Sequence, residues 1–245
     1  MGRPEVVLRY CTNAGDEVRT TWEQARADLI VEGLPIRVPP TYRGQRNYPG
    51  LFWASTNRRS LVYESLLELD RLWLADFDPE VRDIATQPFQ IVGRDGSTPR
   101  KHVPDILFLH RDRGVTLVDV KPAAHLDRPE VKAQLDWTRD LCRLKGWNYE
   151  VFTGSSTPKL RNIKALAVGR RPERLPEGLL DLAREAMSLT EVTLGEALAR
   201  KPEICDRNSW RVAVSACVWS GYVTLDLGQP LSEMAVLRPS AGALT

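Results

Sequence analysis

Along this chain the spacing of apolar and polar positions changes several times, and each change predicts an element. Near the start, VVLRYCT and EVRT flank Asn13-Ala14-Gly15-Asp16. Those four residues are turn chemistry, so the segment predicts a β-hairpin. Thr21-Trp22-Glu23-Gln24 then fits a capping box, and WEQARADLIVEG predicts a helix stopped by Gly33 and Pro35. The stretch PPTYRGQRNYPGLFWASTNRR holds no sustained period and predicts a long ordered loop with short strand pieces. Leu61, Tyr63, Leu66, Leu67, Leu69, Leu72 and Trp73 recur at three- and four-residue spacing. They predict a helix from about Ser60 to Asp76, which Pro79 prevents from continuing.

Three strand-like runs follow, VRDIATQPFQIVG, HVPDILFLH and GVTLVDVKP. The turn-rich segments between them predict an antiparallel meander. PEVKAQLDWTRDLCRLKG (129–146) has the period of an amphipathic helix, and WNYEVFTG reads as one more strand. Helix, three strands, helix and strand make an α/β fold, a mixed sheet flanked by helices. Pro, Gly and Arg cluster in GRRPERLPEG, which predicts a boundary near 170–177 and hence domains over 1–172 and 173–245. Beyond it, helices over 178–187, 193–201 and 208–220 precede two short strands around Gly228-Gln229-Pro230. Three small helices followed by a hairpin is the order of a winged-helix domain.

Composition narrows the function classes. In 245 residues, 34 Lys and Arg balance 32 Asp and Glu, a formal charge of +2. Coating DNA by bulk charge needs a large cationic excess, so a histone-like protein is excluded while a local basic groove is not. Cys11, Cys142, Cys205 and Cys217 form no CxxC pair, which argues against a zinc ribbon and for reduced thiols. No stretch approaches the roughly 18 apolar residues of a membrane helix. MGRPEVVLRY lacks the apolar core of a signal peptide, so a cytoplasmic protein with no membrane partner is expected.

The candidate chemistry sits on two neighbouring strands. In GVTLVDVKP, alternation puts Asp119 and Lys121 on one face and Val118 and Val120 on the other. Pro104-Asp105 opens the preceding strand, which then turns apolar. Charges at the ends of apolar strands are costly unless paired, exposed or metal-bound. A tight turn would let Asp105 and Asp119 lie side by side within reach of one divalent cation, and Mg²⁺ takes one or two carboxylates with waters and substrate phosphate. Lys121 would then orient water and neutralise phosphate charge. Glu64 supplies a third carboxylate, and Glu68 stands one helical turn further on. Separately, a DxK on a strand, a Pro-Asp turn or a helical Glu is ordinary structure; the ordered combination carries the functional reading.

In that combination the chain resembles the PD-(D/E)xK nuclease superfamily. It is more closely similar to TnsA-like heteromeric transposase endonuclease subunits. The likeness runs through TYRGQRNYPGLFWAST (41–56), VYESLLELDRLWLADFDPEV (62–81), ATQPFQI (85–91), KHVPDILF (101–108) and LVDVKP (117–122), with a weaker tail over 219–237. The resemblance implies a restriction-endonuclease-like fold and a Mg²⁺-dependent enzyme, with Mn²⁺ as a substitute, that cuts one strand of double-stranded DNA at transposon ends. The implied partners are a DDE-family transposase subunit and an AAA+ ATPase regulator. By position, Glu64 matches the helix glutamate, Asp105 the PD aspartate, Asp119 the acidic residue of (D/E)xK and Lys121 its lysine. The Val120 carbonyl would be a further metal ligand, and Gln87 matches a recurrent Gln-Pro that supports the site or touches DNA.

DNA contacts are expected from Arg43 and Arg46, interleaved with aromatics, and from Arg100, Lys101 and His102 just before Asp105. The C-terminal domain is not notably basic and is expected to dock a partner protein. A stand-alone restriction or repair nuclease and a catalytically inactive nuclease fold used in DNA binding or assembly are the alternatives.

Overall fold

The computed structural model describes residues 6–37, 48–187 and 190–240 and divides into two compact units, Met1–Gly154 and Ser155–Thr245. In the first unit β1 (Val7–Cys11) and β2 (Glu17–Thr21) form the expected hairpin, antiparallel from Val7 opposite Thr21 to Cys11 opposite Glu17. The helix expected after it is short: α1 covers only Ala27–Val31. Trp22 explains why. Its amide donates to the Val6 carbonyl and its buried indole Nε1 to the Leu141 carbonyl, and both bonds hold the chain in a turn. The Thr21 hydroxyl therefore caps that turn, accepting from Gln24 N, rather than a helix. Gly33 does end α1, because a side chain there would stand 2.0 Å from the Cys11 carbonyl oxygen.

β3 (Gly50–Ala54) and β4 (Arg59–Tyr63) pair as a two-stranded hairpin; β3 is one of the short strand pieces expected in the loop, whereas β4 takes residues expected to open a helix. α2 therefore begins only at Leu66 and runs to Phe77, capped by the Ser65 hydroxyl. Glu64 lies outside the helix, in the turn that precedes it, and Glu68 lies in its first turn.

The three strand-like runs resolve into five strands in two sheets. β5 (Val81–Thr86), β8 (Ile106–His110), β9 (Val115–Val120) and β10 (Asn148–Phe152) form one sheet in the order β10-β9-β8-β5, with β9 and β10 parallel and the other pairs antiparallel. β6 (Gln90–Asp95) and β7 (Thr98–His102) form a hairpin that joins the first one in the order β2-β1-β6-β7. The chain leaves one sheet at Gln87-Pro88 and returns at Pro104-Asp105. Proline has no amide to continue a ladder, so a strand running through either position must break. Gln87 turns the chain with φ 42, a conformation rarely adopted by a non-glycine residue.

α3 (Pro129–Lys145) fulfils the predicted helix, with Gly146 at φ 75 as its left-handed cap. One face of the main sheet, Ile106, Phe108, Val118 and Val120, packs with Leu72 and Ala75 of α2. The other face, Leu107, Leu109 and Leu117, packs with Trp22, Phe89, Trp137 and Leu141.

In the second unit α4 (Thr157–Leu166), α5 (Leu179–Ala186) and α6 (Leu194–Ala199) pack against α7 (Arg207–Trp219), whose buried Trp210 donates to the Ala197 carbonyl of α6. A small antiparallel sheet of β11 (Val192–Thr193), β12 (Val223–Thr224) and β13 (Val236–Pro239) has the order β11-β13-β12. α5, α6 and α7 fall close to the expected helices. The strands are shorter than expected and β11 is additional. The unit also begins earlier than the boundary read from sequence, because α4 packs against α7. Among the described residues no helix is long and apolar enough to cross a membrane, and all four cysteines are free.

Candidate active site

The charged residues picked out by spacing gather where β8 begins and β9 ends. Asp105 immediately precedes β8; its amide donates to the Val118 carbonyl, which continues the β8–β9 ladder to the residue before the strand. Its Oδ2 accepts from the Val120 amide at 2.7 Å and from Lys121 Nζ at 3.2 Å. Lys121 Nζ also donates to the Val120 carbonyl at 3.0 Å. These bonds clamp the Pro-Asp and Asp-Val-Lys segments together edge to edge.

Asp119 is fully buried. His102 Nε2 lies 2.8 and 2.9 Å from its two oxygens, and the Tyr149 hydroxyl donates to Oδ2 at 2.5 Å. His102 ends β7 and Tyr149 belongs to β10, so this carboxylate ties the two sheets together.

Glu68, not Glu64, is the helical glutamate of the cluster. Glu68 is 6% exposed. Its Oε1 accepts from the Ser65 hydroxyl, and its Oε2 accepts from the Glu64 amide and from Gln87 Nε2 at 3.3 Å. Glu64 instead forms an ion pair with Arg37 at 3.0 Å. Ser65-Leu66-Leu67-Glu68 is a capping-box spacing, the signal in the sequence that places Glu68 at a helix start. Arg71, one turn along, donates twice to Glu150 at 2.8 Å and lies over the Phe108 ring, which fixes α2 on the sheet.

Gln87 is fully buried, and its backbone joins the same junction: its amide donates to the Asp105 carbonyl and its carbonyl accepts from Ile36. Its Oε1 is buried without a hydrogen-bond partner. An unsatisfied buried acceptor and a positive φ in one residue concentrate strain beside the carboxylates.

The carboxylates differ electrically. Burial, then the nearby charge of Asp105, pushes Glu68 up to about 7. Burial also raises Asp105, although Lys121 opposes it. Burial acts to raise Asp119 too, but the hydrogen bonds from His102 and Tyr149 and the charge of Lys121 outweigh it and hold Asp119 low. Burial lowers Lys121, yet Asp105 and Asp119 carry it above the ordinary lysine range. Burial thus opposes ionisation at all three carboxylates, and their partners overcome it at Asp119 but not at Glu68 or Asp105.

A cleft of about 640 Å³ opens on the cluster, lined among others by Asp105, Lys121, His102, Lys101 and Arg37. Asp119 does not line it. Arg100 is tied to Asp95 at 3.0 Å, on the hairpin's own far end, and is not a wall of the cleft. Arg43 and Arg46 lie outside the described residues. Tyr149, Arg37 and Ser65 belong to the site without having been singled out by sequence. A larger cavity of about 980 Å³, lined by Trp22, Trp137 and Trp147, lies at the opposite end of the sheet and does not touch the cluster.

Among the described residues no three His, Cys, Asp or Glu side chains converge to hold a metal ion. The donor chemistry nevertheless fits a hard divalent cation: buried Glu68 and Asp105 lie near enough to repel each other, Asp105 shares Lys121 with the Val120 carbonyl, and Mg²⁺ commonly takes only one or two carboxylates.

No curated protein matches the chain. One family's sequence model, described as TnsA-like endonuclease N terminal, matches residues 78–154. The match covers both Pro-containing junctions, Asp105, Asp119, Lys121 and Tyr149, and it supports a TnsA-like, PD-(D/E)xK nuclease-type family for this part of the chain.

Proposed function

We propose that the chain is a metal-dependent DNA endonuclease that serves as one subunit of a heteromeric transposase and hydrolyses one strand at transposon ends. The observation that carries this reading is the gathering of buried Glu68 and Asp105 with Lys121, in a cluster that opens through Asp105 and Lys121 onto a cleft. Asp105, Glu68 and the Val120 carbonyl would hold Mg²⁺. When bound, the ion would activate water and stabilise charge developing on the phosphate. Lys121, held beside Asp105, faces the same phosphate and neutralises part of its charge. Lys101 and Arg37 on the cleft wall serve the flanking backbone. Glu64 takes no part beyond orienting Arg37.

A net charge of only +2 gives little non-specific hold on DNA, which suits an enzyme brought to its substrate by others. The second unit is proposed as the docking module, winged-helix-like in element order, for the ATPase regulator or the DDE-family subunit.

The test is a strand-cleavage assay on transposon-end duplexes with Mg²⁺ and the partner transposase. Asp105→Ala, Lys121→Ala and Glu68→Ala should each lower cutting by about 10²-fold or more, the scale on which single groups stabilising a transition state act, while Glu64→Ala stays near wild type. Equal cutting by wild type and Asp105→Ala would sink the assignment. That no three metal-ligating side chains converge among the described residues favours a second reading, an inactive nuclease fold used for assembly. Under that reading wild type leaves DNA intact but still supports complex formation with the transposase.

A further inference from the structure

Asp119 occupies the acidic position of the DxK motif, yet two observations set it apart from the carboxylates of the cleft. It is fully buried and absent from the cleft wall, whereas Asp105 is part of that wall. Both of its oxygens lie within 2.9 Å of His102 Nε2, and Tyr149 adds a hydroxyl from behind. A carboxylate that is absent from the cleft wall and whose oxygens are already engaged by His102 and Tyr149 is poorly placed to bind a cation entering through the cleft.

His102, by contrast, does line the cleft. A ring nitrogen that donates to a carboxylate fixes the tautomer, and the other nitrogen becomes an acceptor. With Nε2–H on Asp119, Nδ1 is that acceptor, and it carries no hydrogen bond among the described residues.

Resting on the nuclease reading above, we infer that Asp119 is a positioning residue rather than a metal ligand: with Tyr149 it holds His102 so that Nδ1 accepts a hydrogen bond from the attacking water in the cleft. Three elements cooperate, since β9 supplies the carboxylate, β7 the imidazole and β10 the hydroxyl. Tyr149 leaves Asp119 no freedom to rotate toward the cleft, and His102 transmits that order to the water. The DxK motif is then divided, Lys121 working at the phosphate side with Asp105 and Asp119 working through the histidine.

Two measurements on the full-length chain test this. The first is Mn²⁺ binding by titration calorimetry, with cleavage kinetics on the transposon-end duplex in the presence of the transposase. Asp105→Asn should weaken Mn²⁺ binding at least tenfold. Asp119→Asn should leave it within about threefold yet lower kcat by on the order of 10²-fold, with KM for DNA little changed. His102→Ala should match Asp119→Asn, and the double variant should be no worse than either single one, because the two act as a unit. Tyr149→Phe should lower kcat about tenfold or less. Equal loss of Mn²⁺ affinity in Asp119→Asn and Asp105→Asn overturns the inference.

The second measurement needs no activity. With only three histidines in the chain, ¹⁵N correlation spectra should show His102 as the Nε2–H tautomer in wild type, with that preference lost in Asp119→Asn. A wild-type Nδ1–H tautomer overturns the inference even if the nuclease reading stands. The expected tautomer in a protein that neither binds Mn²⁺ nor cuts DNA refutes the nuclease reading, and with it the catalytic role of His102, while the Asp119–His102 pairing survives.

Discussion

At one end of the β10-β9-β8-β5 sheet, where β8 begins and β9 stops, Glu68, Asp105, Asp119 and Lys121 are packed together with the unsatisfied Gln87 Oε1. At the other end, where β8 stops and β9 begins, Leu109 and Val115 meet Trp22, Trp137 and Trp147. Trp22 stands edge-on to Trp147 at 5.1 Å and to Phe89 at 5.9 Å between ring centroids, and its indole N–H is satisfied by Leu141. One end carries buried charge, strain and an open cleft; the other carries aromatic area and a satisfied Trp22 indole. The difference follows a general trade between stability and function, in which preorganised polar sites are supported by apolar packing elsewhere.

Substitutions should pull the two ends apart. The largest effect on folding is expected at the aromatic end. Trp22→Ala removes a 2% exposed indole and leaves the Leu141 carbonyl without its donor, so chemical denaturation should show a loss of about 3–5 kcal/mol. A loss below about 1 kcal/mol would mean that this end does not carry the unit's stability.

At the charged end the sign should reverse. Glu68 is pushed up to about 7 in the fold from an ordinary 4.5, so folding must hold back ionisation that the unfolded chain completes at lower pH. Its contribution is therefore least unfavourable below pH 4.5, worsens as pH rises toward 7, and is fully adverse above 7. Glu68→Gln should stabilise the metal-free protein at pH 8 by roughly 1–3 kcal/mol, with the gain shrinking toward pH 5. Denaturation in chelator at both pH values checks this, and a variant less stable than wild type at pH 8 would contradict the raised Glu68 carboxyl. The smallest effect belongs to Leu144, 52% exposed at the rim of the tryptophan cavity. Leu144→Ser should stay within about 0.5 kcal/mol of wild type, and a larger loss would show that stability at this end extends to the rim.

Legibility in the sequence followed the range of the interactions. Asp105, Asp119 and Lys121 were readable because strand alternation and a short β8–β9 connection are local, and that pairing is the one observed. The meander was readable as far as the antiparallel order β5, β8, β9, while the insertion of β6–β7 into another sheet was not. The register of α2 was lost because Leu61 and Tyr63 suit a strand as well as a helix; only their pairing with Phe52 and Gly50 decides, and that lies outside any local window. Ser65 and Glu68 did signal the true start. The Asp119 pocket was closed to sequence reading, since His102 and Tyr149 arrive from separate strands 17 and 30 residues away. The left-handed Gln87 carries no residue-type signal at all, because glycine or asparagine is the usual occupant of that conformation.

The excursion between the two proline junctions also bears on how quickly the molecule can assemble. Pairing Thr86 with Ile106 requires the chain to close over residues 87–105. A disordered segment of that span would have to be fixed by chance encounter, with its full configurational entropy opposing it. Here most of the span is the β6–β7 hairpin, whose own strands meet across Asp95 and Thr98 and can pair on a microsecond scale. Once that clip has formed, Thr86 and Ile106 are separated by two short joints, Gln87-Pro88-Phe89 and Val103-Pro104-Asp105. The excursion thus turns a long-range contact into a nearly local one and lowers the effective contact order of the central sheet. Asp105 and Gln87 sit in those joints, so the step that registers β5 on β8 also sets the geometry of the cleft.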